Sequence, residues 1–443
     1  MSNRYPQPED FYSEAPPQRI IGSETEYNVT DTQLPPYSVN SLRVVSDLAV
    51  SQQNYDRRRE HLINGGKIYK DTNNVVEYVT PEVRTAAELA KHEYAGCVLL
   101  ADSCREIGAD AAYRRSGYDH LAYQPASAGY HENYLVPVNE KNAQYYKYFM
   151  ESYFATRVIW AGAGIIGKSF RFSQKGHGLR VDNYTWQQHT IHGQKEMVTI
   201  KPDESLIYHA ETRINWSRLE NRSGDPNMSP WVTMAKFAVT SLVMRLVEYE
   251  APEKLEKFMF RNGWPSIILK AVSEDLSLSK TYRTRQHKKR ITAIEHQQAI
   301  VETALALGKH IKLPLEEQIM GEEVYNMCDQ LKHVDIPNGA LGQLPRQLDW
   351  AAKLASITEA GTPVSEIHRS NFKAVYKDLT WERVRPDRHI IPAVFGAEMS
   401  KQYNPARLRK YLLQPPSDTR AKYRALGQIN KTDIFDPYGY LLQ

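Results

Sequence analysis

Cysteine is scarce in this chain: three residues, Cys97, Cys104 and Cys328, among 443. Their number is odd and their spacing fits no metal motif, which excludes a disulfide framework and a zinc signature. Cys97 and Cys104 lie one heptad apart, so buried free thiols are expected, in keeping with a reducing cytoplasm. Long apolar runs are missing too. No segment reaches the ~18 residues that a membrane helix needs. The opening stretch, Met1–Gln18, is polar and proline-rich without the apolar core of a signal peptide. The expectation is a soluble, cytoplasmic protein with no membrane partner. Nor does charge of one sign dominate: 56 Lys and Arg against 52 Asp and Glu leave a net +4. That balance gives no reason to expect a nucleic-acid partner. No P-loop, Ser-His-Asp pattern or internal repeat is present. Ala161-Gly-Ala-Gly164 is only a fragment of a dinucleotide loop and is expected to be a bend.

What is there is an interleaving of short alternating segments and amphipathic ones, without a βαβ rhythm. That pattern predicts an α+β fold with antiparallel strands. Strands are expected over Arg19–Val29, Lys67–Val79 (entered through the turn Asn64-Gly65-Gly66), Tyr130–Val136, Phe170–Gln174 and the stretch through Ile214, Trp216 and Arg218. A capping box, Thr85-Ala-Ala-Glu88, opens a helix to about Arg105, with Ala90, Tyr94, Cys97 and Ala101 along one side. Tyr145–Val158, Trp231–Glu250, Ile291–Leu307 and Glu316–Lys332 supply the remaining helices. Arg283–Arg290 is a basic run, expected to form a solvated loop or a docking patch for an acidic protein. From about Val384 the chain has proline punctuation and a basic bias.

The strand-like segments carry polar residues two apart. Glu24 and Glu26, Tyr69 and Asp71, His131 and Asn133, and Arg218, Glu220 and Arg222 each share one face of a strand. Carboxylates gathered on one sheet face repel unless a cation sits among them. Oxygen ligands suit Mg²⁺, which brings substrate phosphates with it. The expected assembly is therefore a sheet that holds Mg-ATP. Glu220, flanked by Arg218 and Arg222, suits a metal-bound γ-phosphate: the carboxylate takes the metal and the guanidinium groups take phosphate oxygens. Glu77 is placed on the metal and Asp71 is a candidate general base for an amine. His131 adds an imidazole to the cluster. Each pair has a plainer reading as well, as a solvated strand face, a surface hairpin or a cross-strand salt-bridge ladder.

Taken in order, these segments resemble the Pup ligase and Pup deamidase family, a branch of the glutamine synthetase-like carboxylate–amine ligases. The resemblance rests on Arg19-Ile-Ile-Gly-Ser-Glu-Thr-Glu-Tyr27, Asn64-Gly-Gly-Lys-Ile-Tyr-Lys-Asp71 with Glu77-Tyr78, and Gly129-Tyr-His-Glu-Asn-Tyr-Leu135. It continues through Thr156-Arg157, Phe172-Ser-Gln174, Gly224-Asp-Pro-Asn-Met228, Leu348-Asp-Trp350 with Lys353, and Pro415-Pro-Ser-Asp-Thr-Arg420. The polar stretch 1–18 is itself expected to be a flexible tail; the resemblance implies a glutamine synthetase-like catalytic domain over 19–380 with a twisted antiparallel sheet flanked by helices, and a small C-terminal domain over 381–443. It implies an ATP-dependent ligase that phosphorylates the C-terminal glutamate of a small Pup-like modifier and joins it to lysines of target proteins. By residue match, Glu24, Glu26, Glu77 and Glu220 hold Mg²⁺; Tyr69, His131, Asn133, Arg218 and Arg222 contact the nucleotide; Asp71 and Arg222 act in catalysis. The compact stretch Asn28–Ile63 and the Asp71-to-Glu77 spacing resemble the ligase branch, since deamidases carry a long insertion there. The sequence departs from the family at Val75-Val76, at Lys175 and before His209-Ala210. The competing readings are a deamidase or isopeptidase, a phosphotransferase, a small-molecule γ-glutamyl ligase and a non-catalytic binding module.

Overall fold

In a computed structural model of the chain, residues 18–30, 62–70, 76–106, 111–113, 129–175, 197–202, 215–261, 265–286, 290–368 and 391–425 are described, together with 370, 371, 373, 374, 377, 381, 383 and 384. The strands are β1 (Ile21–Thr30), β2 (Lys67–Lys70), β3 (Val76–Val79), β4 (Ala111–Tyr113), β5 (Tyr130–Val138), β6 (Ile165–Ile166), β7 (Phe170–Arg171), β8 (Val198–Pro202), β9 (Asn215–Asn221), β10 (Thr281–Arg283), β11 (Arg290–Thr292) and β12 (Arg383–Val384). Eight of them make one antiparallel sheet, in the order β12-β4-β1-β5-β9-β8, with the β2–β3 hairpin joined to β1 through β3. The basic run closes the small β10–β11 ladder, where Arg283 faces Arg290.

The long helices are α1 (Ala86–Glu106), α2 (Ala143–Ala161), α3 (Pro230–Tyr249), α4 (Ala293–Ala306) and α5 (Leu315–Gln330). Start signals in the sequence explain their limits. Thr85 Oγ1 accepts from Glu88 N at 3.1 Å. Ser229 caps α3 ahead of Pro230, and Thr292 with Glu295 forms a complete capping box for α4. α1, α2 and α3 pack against the sheet, and α4 and α5 pack behind α2 and α3. The main core gathers Phe149, Tyr153, Trp160, Phe237 and Leu242. A second core joins Tyr27, Tyr78, Tyr94 and Leu99 to Val384, Tyr403 and Leu408. The three cysteines are buried and free, and burial pushes their thiols up to about 12.

Two buried histidines lie outside the polar face of the sheet. His296 on α4 is held between Thr156 Oγ1 and the Phe258 carbonyl, each at 2.8 Å. His92 on α1 stacks edge-on against Tyr411. Burial pulls both imidazoles down to about 4, against a backbone hydrogen bond that pulls the other way. Their folded values lie below the unfolded 6.5, so the unfolded chain takes up more protons as pH falls. The stability that neutral histidine contributes is present above 6.5 and is lost as pH drops towards 4. In urea melts, wild type should lose about 1.4 kcal/mol per pH unit across that window relative to His92→Gln. Parallel profiles for the two proteins would refute the assignment.

Candidate active site on one face of the sheet

Register, not chance proximity, assembles the site. Glu24 pairs with His131 and Glu26 with Glu77; Tyr69 pairs with Glu77, Asn133 with Glu220, and Thr199 with Glu220. Directly opposed residues share a face and residues two apart repeat it. Tyr69, Glu77, Glu26, Glu24, His131, Asn133, Glu220, Arg218, Arg222 and Thr199 therefore line one side. The intervening residues Ser23, Thr25, Tyr27, Glu132 and Tyr134 are buried on the other side.

The tightest part lies on β1, β5 and β9. Glu24, His131 and Glu220 bring one ligand atom each to within 4.8 Å of one another, the one such trio among the described residues. His131 Nδ1 lies 2.9 Å from Glu24 Oε2 and 3.4 Å from Glu220 Oε1. Asn133 Nδ2 donates to Glu24 Oε1 at 3.1 Å, and Arg218 Nη1 reaches the same oxygen at 3.3 Å. Arg222 grips Glu220 as a fork, Nε to Oε1 and Nη2 to Oε2, both at 2.9 Å, while Thr199 Oγ1 donates to Oε2 at 2.9 Å. Burial by itself would raise both carboxyls. The hydrogen bonds and charges of Arg222 and His131, with Thr199, overcome it at Glu220 and hold that group at about 2. His131 and Arg218 overcome it at Glu24, which also ends below the usual carboxylate value.

Two carboxylates kept ionised at neutral pH and an imidazole on one small patch suit a divalent cation such as Mg²⁺ or Mn²⁺. Of the four glutamates that residue match places on the metal, Glu24 and Glu220 stand in this trio, together with His131. Glu26 and Glu77 lie one cross-strand pair farther along the same face, and Glu26 Oε2 accepts from the Gly129 amide. That approach leaves no room at Gly129, where a Cβ would stand 2.5 Å from Glu26 Oε1. Tyr69 is partly exposed beside Glu77. Asp71, the candidate base, lies outside the described residues, as do Val75 and His209. Two contributors escaped the sequence reading. Thr199 carries no motif, although its phase with Glu220 would follow once β8 is paired. Glu132 sits within the Gly129–Leu135 segment but points into the helix layer, where Arg157 meets it at 2.5 Å.

The Pup-ligase protein family model matches residues 19–431. A depupylase of Acidothermus cellulolyticus is 30% identical over 386 residues, 82% of this chain and 70% of that relative. A Pup–protein ligase of Acidimicrobium ferrooxidans is 24% identical over 421 residues, 92% of this chain and 88% of that one. Among solved structures, a complex between the prokaryotic ubiquitin-like protein Pup and its ligase PafA superposes with a TM-score of 0.71 at 19% identity, covering 93% of this chain and 83% of that chain. PafA with ADP gives 0.65 at 18%, covering 89% and 86%. These likenesses place the sheet and its helices in the glutamine synthetase-like α+β class. With the family's model spanning nearly its whole length, the chain belongs to the Pup-ligase family.

Proposed function

We propose that this protein is an ATP-dependent isopeptide ligase for a Pup-like modifier. The observation that carries the reading is the single sheet face on which two ionised glutamates and a histidine stand beside Arg218 and Arg222. ATP and the modifier's C-terminal glutamate are the first substrates. The glutamate side chain attacks the γ-phosphorus, ADP leaves, and a glutamyl phosphate forms. A lysine amine then displaces phosphate from that acyl group, so the net product is modifier plus target minus water. Glu24, His131 and Glu220 would hold the cation, with Glu26 and Glu77 next to it. When bound there, it supplies positive charge to the phosphate oxygens. Arg218 and Arg222 are partly exposed beyond the carboxylates they grip, so their guanidinium groups are placed to take phosphate oxygens. Asn133 fixes the Glu24 carboxylate, and Tyr69 stands at the rim for the nucleotide. Asp71, by residue match, accepts the proton of the incoming lysine. Catalysis is then positioning and charge placement followed by aminolysis.

A depupylase among the relatives favours a second reading, hydrolysis of the modifier's amide on the same face. The shortness in sequence of Asn28–Ile63, with no long insertion, favours the ligase. Intact-protein mass spectrometry with Mg-ATP, a Glu-ended modifier and lysine-bearing proteins separates them. An ATP-dependent product at the summed mass minus water supports ligation. A Gln-ended modifier that loses ammonia, with no adduct, supports deamidation. A modifier that only gains phosphate indicates a phosphotransferase. In the ligase, Asp71→Asn should lower conjugation about 10²- to 10³-fold with nucleotide binding retained. Equal loss of nucleotide binding would remove Asp71 from the role of base.

A further inference from the structure

Four hydrogen bonds outside the cluster converge on one small element. The β2–β3 hairpin brings Tyr69 and Glu77 to the face, and both of its roots are fastened to the segment 409–421. At the entry, Asn64 is fully buried and its Nδ2 donates to the Tyr411 carbonyl at 2.9 Å and to the Tyr78 hydroxyl of β3 at 3.2 Å. Gly65 has φ +81°, and a Cβ there would stand 2.6 Å from the Ala421 carbonyl oxygen. Only glycine combines that backbone with so close an approach. At the exit, Thr419 Oγ1 donates to the Glu82 carbonyl at 2.7 Å, Arg420 Nε to Glu82 Oε1 at 2.7 Å, and Arg84 Nε to the Asp418 carbonyl at 3.0 Å. The segment itself is anchored on α1 by Arg409, which takes Asp102 at 2.9 Å, and by the Tyr411–His92 ring contact at 5.2 Å.

We infer that residues 409–421 are a strap that sets where the hairpin lies against β1, with Arg420 as a positioning residue. Β2 and β3 are four residues each, too short to hold a two-stranded element by their own ladder. Their place must come from β1 on one side and from their roots on the other. The Asn28–Ile63 stretch and the strap are far apart in sequence, yet Asn64 ties the end of one to the other. The carboxylate–imidazole trio is built from β1, β5 and β9 and does not depend on these ties. This inference rests on the proposed ligase reading only for its kinetic consequence.

The test uses the full-length protein and hydrogen exchange read by peptide. Arg420→Ala should raise exchange of amides in 67–70 and 76–79 about fivefold, with 215–221 unchanged. Arg420→Lys, which keeps a donor to Glu82, should restore most of the protection. Arg409→Ala, which frees the segment only from α1, should leave the hairpin's exchange within twofold of wild type. In turnover assays Arg420→Ala should lower kcat for conjugation about tenfold, because Tyr69 and Glu77 ride on the hairpin, and Arg420→Lys should recover it. Unchanged hairpin exchange in Arg420→Ala, or exchange rising equally in 215–221, would overturn the inference. Thr419→Val gives the same readout should Arg420→Ala fold poorly. If wild type makes no conjugate, the ligase reading fails while the exchange result still decides the strap.

Discussion

Glu220→Gln is expected to reduce ATP-dependent conjugation about 10³-fold, roughly 4 kcal/mol of transition-state stabilisation. Three features make the effect large. The carboxylate is nearly buried and held ionised at about 2, so the wild type presents a full negative charge at every working pH. It stands within the trio that suits a cation, and a neutral amide is a far weaker ligand for a hard ion. It also aims Arg222, and an amide cannot take both arms of that fork. The fold should survive. The amide oxygen still accepts from one Arg222 nitrogen, and the Thr199 hydroxyl can rotate to accept from the new amine. Phosphate release and adduct formation should fall together, with the far-ultraviolet spectrum unchanged. Thr199→Val, which removes one bond to the same oxygen, should cost about tenfold or less. Conjugation by Glu220→Gln within tenfold of wild type would remove Glu220 from the site.

The polar face was legible because strand periodicity is strict. Once Glu24 and Glu26 stand two apart among Ile20, Ile21 and Tyr27, their shared orientation follows from the pleat alone. The same holds for His131 with Asn133 and for the Arg218–Glu220–Arg222 row. Pairing is another matter. That His131 meets both Glu24 and Glu220 follows from the order β1-β5-β9, a non-local arrangement that no local pattern encodes. Hence strand phase adds the His131 imidazole to the carboxylate cluster, while only the strand order sets it between Glu24 and Glu220. Helix positions were legible where an apolar stripe met a cap, as at Thr85. The expected helix from Ile291 instead begins at Ala293, because Thr292 caps it and Arg290–Thr292 pairs with Thr281–Arg283. Phe170–Gln174 keeps strand pairing only at Phe170 and Arg171. Least legible were the buried polar ties. Asp349 accepts from the Met228 and Ser229 amides and from Asn227, partners more than a hundred residues away that the Leu348-Asp-Trp350 segment does not specify.

Arg157→Met should destabilise the protein by about 3–5 kcal/mol, the largest loss expected from a single change away from the polar face. Glu132 is on β5 between His131 and Asn133, but it points the opposite way, into the helix layer. Arg157 on α2 meets it as a fork, Nη2 to Oε1 at 2.5 Å and Nη1 to Oε2 at 2.8 Å, and Nη1 also donates to Thr240 Oγ1 on α3 at 2.9 Å. The Tyr134 hydroxyl donates to Glu132 Oε2 at 2.7 Å, and the guanidinium lies over the Phe154 ring at 4.6 Å. Burial would raise the Glu132 carboxyl, yet the Arg157 charge and hydrogen bonds outweigh it and the group ends below its usual value. Removing the arginine leaves a buried carboxylate with too few donors, which must either take up a proton or admit water. Glu132→Gln strands the arginine in the same way. Losing both charges removes the stranded partner, so Arg157→Met combined with Glu132→Gln should cost less than the two single changes summed, by about 2 kcal/mol or more. Urea melts of the four proteins measure this directly, and additive losses would show that the two side chains act independently. The pair welds β5 to α2 and α3 directly beneath the residues that hold Glu24.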